Sequence, residues 1–168
     1  MARSGSASWW ATKVRQARAF AGASVGRNER AALEPWLSPA QLAVFDAMHV
    51  ADRRHGLDVV AWLRGHGETD PDVLVAGLLH DAGKGDAGFV PRVVSSLSQA
   101  YGGWIARAAM IVPGLARPLA RLIAHADLSA ELAERAGCSP LTVELIRRQD
   151  LPPADDAARR LHLADEAS

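Results

Sequence analysis

The sequence predicts an all-α, single-domain fold, and three observations predict it. The chain has 168 residues, 49% hydrophobic and 23% charged, a globular balance with ample length for a buried core. Ala and Leu are prominent and β-branched runs are few, which is the residue usage of helices. Helix-start signals recur: Ser38-Pro39-Ala40-Gln41, Asp70-Pro71 and Ser139-Pro140 each set a capping side chain before a proline at the first helical position. No stretch shows convincing period-2 alternation or the Asn-Gly signal of a hairpin.

Taken in order, residues 8–21 read as a helix with Trp9, Trp10, Val14, Ala17 and Phe20 partly in register and Lys13, Arg15 and Arg18 elsewhere. Residues 1–30 carry six basic side chains against one acid, Glu29. Such a helix either docks on the core edge or, as a basic amphipathic segment, touches a membrane surface or a partner. Residues 1–36 are therefore expected to form a basic N-terminal helix and linker, broken around 22–27, and residues 37–168 the helical domain. Ser38 opens a helix carrying Leu42, Val44, Phe45 and Met48. A second spans roughly 51–64 with His55, Val59, Val60, Trp62 and Leu63, and Gly65 or Gly67 ends it. Asp70-Pro71 starts a third that runs to His80-Asp81. After a glycine-rich turn over 84–88, helices are expected over 90–99, 104–112, 116–126 with His125 near its end, 128–136, 139–149 and 154–167. Pro113-Gly114, Gly137 and Pro152-Pro153 supply the breaks.

The bulk properties exclude several classes. Lys plus Arg and Asp plus Glu both number 19, so nothing global points to nucleic acid or an anionic membrane. The longest apolar stretch, 104–128, is interrupted by Arg107, Pro113, Arg117, Pro118 and Arg121, so no transmembrane segment is expected. The apolar patch at 7–11 is closed by Lys13 before a secretory h-region could form. The single cysteine, Cys138, excludes an intrachain disulfide and agrees with a cytoplasmic location. Gly-x-Ser-x-Gly, P-loop and GxGxxG motifs are all lacking, which leaves serine hydrolase, P-loop and Rossmann readings without support.

The chemistry concentrates at Val73-Leu74-Val75-Ala76-Gly77-Leu78-Leu79-His80-Asp81-Ala82-Gly83-Lys84. An almost wholly apolar helix ends in an imidazole beside a carboxylate, and a buried charge is costly unless something pairs with it. Either the two residues satisfy one another, with Gly83 as a left-handed stop, or a divalent cation takes both as ligands. His55, within Arg53-Arg54-His55, lies on the preceding helix, and Asp165, within Leu161-His162-Leu163-Ala164-Asp165, lies on the last.

This ordered set, His…His-Asp…Asp, resembles the HD superfamily of metal-dependent phosphohydrolases. The local sequences resemble it too: an Arg-Arg-His opening a helix, Leu-Leu-His-Asp-Ala-Gly-Lys, and a late Leu-x-x-Ala-Asp. The likeness runs from about residue 37 to 165. It implies an HD-domain helical bundle in which His55, His80, Asp81 and Asp165 ligate a divalent metal ion, with Mn²⁺, Mg²⁺, Fe²⁺, Co²⁺ and Zn²⁺ all compatible with a His2Asp2 donor set. It implies metal-dependent hydrolysis of a small phosphorylated substrate, a nucleotide or similar ester, through metal-activated water. Asp81, Lys84 and His125 are the candidates for the chemistry itself. Lys84 suits a phosphate oxygen, and His125 suits a second metal ligand, a phosphate donor or a proton shuttle.

Two positions depart from the pattern. Lys84 stands where some HD nucleotidases have an acid, and Gln149 stands where glycine-rich relatives have a histidine near the helix end. They motivate the alternative of a non-catalytic HD module that senses or binds a nucleotide or protein partner. His162, Asp58 and Asp86 are candidates to orient the ligands. His49 and His66 read as a helix cap and a turn residue, and Cys138 as a small turn residue.

Overall fold

A computed structural model describes residues 22–168. The expected helix over 8–21 lies outside the described residues. Ten α-helices and one 3-10 turn, with no strand, make up the described residues. They are α1 (Arg27–Ala31), α2 (Pro39–Ala47), α3 (Val50–Gly65), α4 (Pro71–Leu79), the 3-10 turn (Ala82–Lys84), α5 (Phe89–Tyr101), α6 (Trp104–Ala109), α7 (Ala116–Ile123), α8 (His125–Arg135), α9 (Pro140–Arg147) and α10 (Asp156–Ala167). The all-α expectation holds.

Helix α4 is the axis of the fold. Every residue from Val73 to Leu79 is buried, and a helix apolar all round must be surrounded. It packs against α2, α3, α9 and α10. Phe45, Val59, Leu63 and Ile146 are fully buried around it. The sequence-predicted starts are built as capping chemistry dictates. Ser38 Oγ accepts from the Gln41 amide at 3.2 Å while Gln41 Oε1 accepts from the Ser38 amide at 2.9 Å. Asp70 Oδ1 accepts from the Asp72 amide at 2.9 Å, and Ser139 Oγ accepts from the Thr142 amide at 3.1 Å.

Several boundaries differ from the sequence expectation. The segment expected as one helix over 116–126 breaks at Ala124, so His125 opens α8 instead of closing α7. No proline or glycine marks that break; burial of His125 and Ala126 against the turn sets it. Helix α6 ends at Ala109, ahead of the Gly114 turn with its positive φ of 85°. Leu33 and Leu37, on either side of the expected boundary at residue 37, are both in the core. Arg30 of α1 pairs with Asp46 at 2.9 Å, and Glu29 pairs with Arg54 at 2.6 Å. No helix among the described residues is long and apolar enough to cross a membrane.

Candidate metal centre

Three helices bring three donors to one place. The crossing of α3 and α4 does most of this. A Cβ on Gly56 would lie 2.5 Å from the Leu78 carbonyl oxygen, so only glycine permits the backbones to approach so closely. His55 is the neighbour of Gly56, and His80 follows α4 at its C-cap. Their ring centroids are 5.2 Å apart. Helix α10 then packs on α3 and α4 through Leu161 and Ala164. Asp155 caps its start by accepting from the Ala158 amide at 2.8 Å, and Arg160 ties it to the chain just past α3 by donating to the Glu68 carboxylate at 2.5 Å. Asp165 therefore arrives beside both histidines.

His55 Nε2 is 2.7 Å from Asp165 Oδ1, and His80 Nε2 is 3.3 Å from the same oxygen. One ligand atom from each of the three residues lies within 4.8 Å of the others, the spacing of donors about a common ion. His80 is the informative member. It is 3% exposed, and its Nδ1 is 3.0 Å from the Gly77 carbonyl. A carbonyl only accepts, so Nδ1 carries a hydrogen, and whenever the ring is neutral its lone pair is at Nε2. That buried Nε2 faces Asp165 Oδ1 and, at 3.5 Å, Asp81 Oδ1, yet it is aligned with neither for a hydrogen bond. A buried imidazole oriented by a backbone carbonyl, with its second nitrogen aimed at carboxylates, is the arrangement of a metal-ligating histidine. The residues present fit a divalent ion on this ground.

Asp81, expected as a fourth ligand, lies beside the three-donor cluster. Its Oδ1 faces His80 and its Oδ2 accepts from Lys84 Nζ at 2.5 Å. Asp81 and Lys84 are positioned by the 3-10 turn. Gly83 N donates to Ser129 Oγ at 2.8 Å, and Gly83 O accepts from Arg121 Nε at 2.8 Å. Gly83 has no positive φ, so it is not the left-handed stop of the reading in which His80 and Asp81 satisfy one another. Glycine is required there by contact: a Cβ would sit 2.3 Å from the His125 carbonyl oxygen and 2.7 Å from the Ser129 nitrogen.

His125 is buried, with Nδ1 2.8 Å from the Leu122 carbonyl. Its Nε2 lies 4.0 Å from Asp81 Oδ1 and 3.9 Å from Asp150 Oδ2. It borders the cluster through Asp81 without joining it. Asp150 is missing from the sequence expectation. Its signal was an acid just past the C-terminus of α9, where the helix dipole disfavours negative charge. Gln149 donates to the His80 carbonyl at 2.9 Å and so supports the ligand backbone. Asp52 and Arg92 were likewise unforeseen: they form a two-pronged pair at 2.7 and 2.6 Å, and Arg92 also donates to Gly85 O at 3.2 Å, tying α3 to the loop after Lys84.

The remaining candidates lie apart from the donors or at their edge. Asp58 and Glu29 both pair with Arg54, at 2.8 and 2.6 Å, so neither orients a histidine. Asp86 is exposed. His49 caps α3 by accepting from the Ala51 amide at 3.2 Å, as its sequence position suggested. His66 stacks on Trp62 at 3.7 Å between centroids. Cys138 is half-buried and accepts from Gln41 Nε2 at 3.4 Å. His162 lines, with His80 and Asp165, a cavity of about 20 Å³, room for about one water beside the donors.

Electrostatics follow from this geometry. Burial by itself would depress the His80 pKa, but the Asp81 carboxylate and then Asp165 overcome it and hold the imidazole at about 9. Burial would raise Asp81, but Lys84 and then His80 pull it well below the usual carboxylate range. Asp165, also raised by burial alone, is held far down by His55 and His80. The folded His80 value lies above its ordinary 6.5, so its contribution is complete below about 6.5 and is lost as pH rises through about 9. Protein stripped of metal is therefore expected to lose on the order of 1–3 kcal/mol of stability between those limits. The carboxylates act oppositely: their contribution is present above about pH 4 and is lost as pH falls through their depressed values. Chemical denaturation of the chelated protein at several pH values checks this. An alkaline limb that stays flat from 6.5 to 9 would contradict it.

All-α architecture and a His55–His80–Asp165 cluster define the class of molecule that the fold and site delineate. Comparison with known family models, curated proteins and solved structures found no match to the chain.

Proposed function

We propose that the chain is a metal-dependent phosphohydrolase of HD type, acting on a nucleotide or other small phosphate ester through metal-activated water. The observation that carries this reading is the buried His80 Nε2, which makes no hydrogen bond and is aimed at the point where His55 Nε2 and Asp165 Oδ1 meet. His55, His80 and Asp165 would hold the ion, with Asp81 Oδ1 next to them. A divalent ion held there supplies a polarised phosphoryl oxygen and a bound water of lowered pKa. The chain's own groups do the rest. Lys84, half-buried in its contact with Asp81, presents an ammonium for a phosphate oxygen. His125 holds its Nε2 near Asp81 and Asp150, where it can receive or return a proton. The small cavity against His80 and Asp165 gives water a place beside the donors.

A direct test compares hydrolysis of p-nitrophenyl phosphate by the metal-loaded wild type, Asp165→Ala and Asp81→Ala. Turnover is expected in the wild type, with a loss of at least about 100-fold in each variant. Wild-type rates retained by Asp165→Ala would overturn the reading. A second reading is motivated by the Lys84–Asp81 pair and by Gln149, whose amide is committed to the His80 carbonyl. On that reading the domain binds a nucleotide or a protein partner as a sensor and turns nothing over. Equal nucleotide affinity with and without metal, with no hydrolysis, would favour it.

A further inference from the structure

A cleft of about 520 Å³ opens beside this site between α5, α6 and α7, a volume suited to a small organic molecule. His125 joins the two: it lines the cleft, and its Nε2 is 4.0 Å from Asp81 Oδ1. Part of the wall is aliphatic. Ala106, Leu119 and Leu122 are buried, and Ile123, 60% exposed, stands at the surface. Asp150 lines the end shared with His125, so a phosphate drawn into the cleft would meet a carboxylate. The anion is better placed on the donor side, by Lys84, with the uncharged part of the molecule in the cleft.

Among the described residues the His125 imidazole is the only aromatic ring lining the cleft, and Ser95, Ser98, Arg107 and Asp150 are its other polar side chains. An aliphatic body gains from burial against Ala106, Leu119, Leu122 and Ile123. We infer that the preferred ligand is a phosphate monoester with a compact apolar organic body seated between α5, α6 and α7. This rests on the reading of the neighbouring site as one that handles phosphate. Arg107, which lines the cleft and is exposed, is the group that would argue the reverse orientation, with phosphate in the cleft.

The test is calorimetric binding of methyl-, n-butyl- and n-hexylphosphonate, and of a nucleoside monophosphate, to the full chain with and without Mn²⁺. Affinity is expected to rise up to about fourfold per added methylene, and at least about tenfold from methyl to butyl. The heat capacity of binding should become more negative along the series. Ile123→Asn should flatten the gradient, and Ile111→Ser, at a residue 84% exposed and outside the cleft, should leave it unchanged. A flat series, no phosphonate binding, tighter binding of the nucleotide than of hexylphosphonate, or a methylphosphonate affinity that falls in Arg107→Ala would each overturn the inference. The gradient is read from binding, so it separates from catalysis. A steep series with no ester hydrolysed keeps the cleft assignment and removes the enzyme. Hydrolysis with a flat series does the opposite.

Discussion

Replacing His80 with alanine is expected to weaken divalent-metal binding by at least about 100-fold and to abolish any hydrolysis that depends on it. The magnitude follows from position. His55 and Asp165 are partly exposed, but His80 is buried, its tautomer is set by the Gly77 carbonyl, and its Nε2 lies within 3.5 Å of two carboxylates. The substitution also removes the ring that lies between Asp81 and Asp165 in metal-free protein, but Asp81 keeps Lys84 and Asp165 keeps His55, so the stability lost should stay below the roughly 3–5 kcal/mol of a buried charge left unpaired. Calorimetric metal titration, with circular dichroism to establish folding, separates the two effects. Asp165→Asn keeps volume and an oxygen but removes the negative charge, so it should lose metal affinity with a smaller change in stability. A folded His80→Ala protein that binds metal as the wild type does would dismiss the site.

Gly56→Ala is the second large effect, and it acts through the backbone. The added methyl would lie 2.5 Å from the Leu78 carbonyl oxygen and 3.2 Å from its carbon. Neither atom belongs to a side chain that can rotate away, so α3 and α4 must separate. Overpacking of this kind costs about 1–3 kcal/mol where side chains absorb it, and the upper end or beyond is expected here. For a domain of this size that is a fall in Tm of roughly 5–10 °C. Because His55 adjoins Gly56 and His80 follows Leu78, the same separation should weaken metal binding. Gly65→Ala is the comparison: a Cβ there meets nothing within 4 Å, and alanine is the better helix former. Thermal denaturation of both variants decides the matter, and a Gly56→Ala Tm equal to that of Gly65→Ala would show that the helices do not depend on the close crossing.

How far the sequence could be read depended on how local the determining physics is. Ser38-Pro39, Asp70-Pro71 and Ser139-Pro140 announce helices because a cap and its proline act within one turn, and all three are built as expected. The burial of α4 was legible in its unbroken apolar run, and His80 in its position at the end of that run. The convergence of His55 and Asp165 on His80 is implied by the resemblance in ordered residue types, and the geometry has its own cause in Gly56 and in the Arg160–Glu68 tie. Long-range partners left no local trace. Ser129 and Arg121 hold the Gly83 turn from α8 and α7, and Arg92 reaches back 40 residues to Asp52. The break at Ala124 was likewise invisible, because no glycine or proline marks it and packing decides it. Gly83 is a left-handed stop in one of the two readings of the His80-Asp81 pair, and it proves to be a contact residue, a distinction that only the neighbours of its missing Cβ reveal.

The central claim is that imidazoles from α3 and α4 and a carboxylate from α10 take one divalent ion together. X-ray absorption of the full chain loaded with one equivalent of Zn²⁺ tests it most directly. Two imidazole nitrogens at about 2.0–2.1 Å with oxygen completing the shell are predicted, falling to one in His55→Ala and in His80→Ala. A zinc shell without imidazole, or one unchanged in either variant, would contradict it.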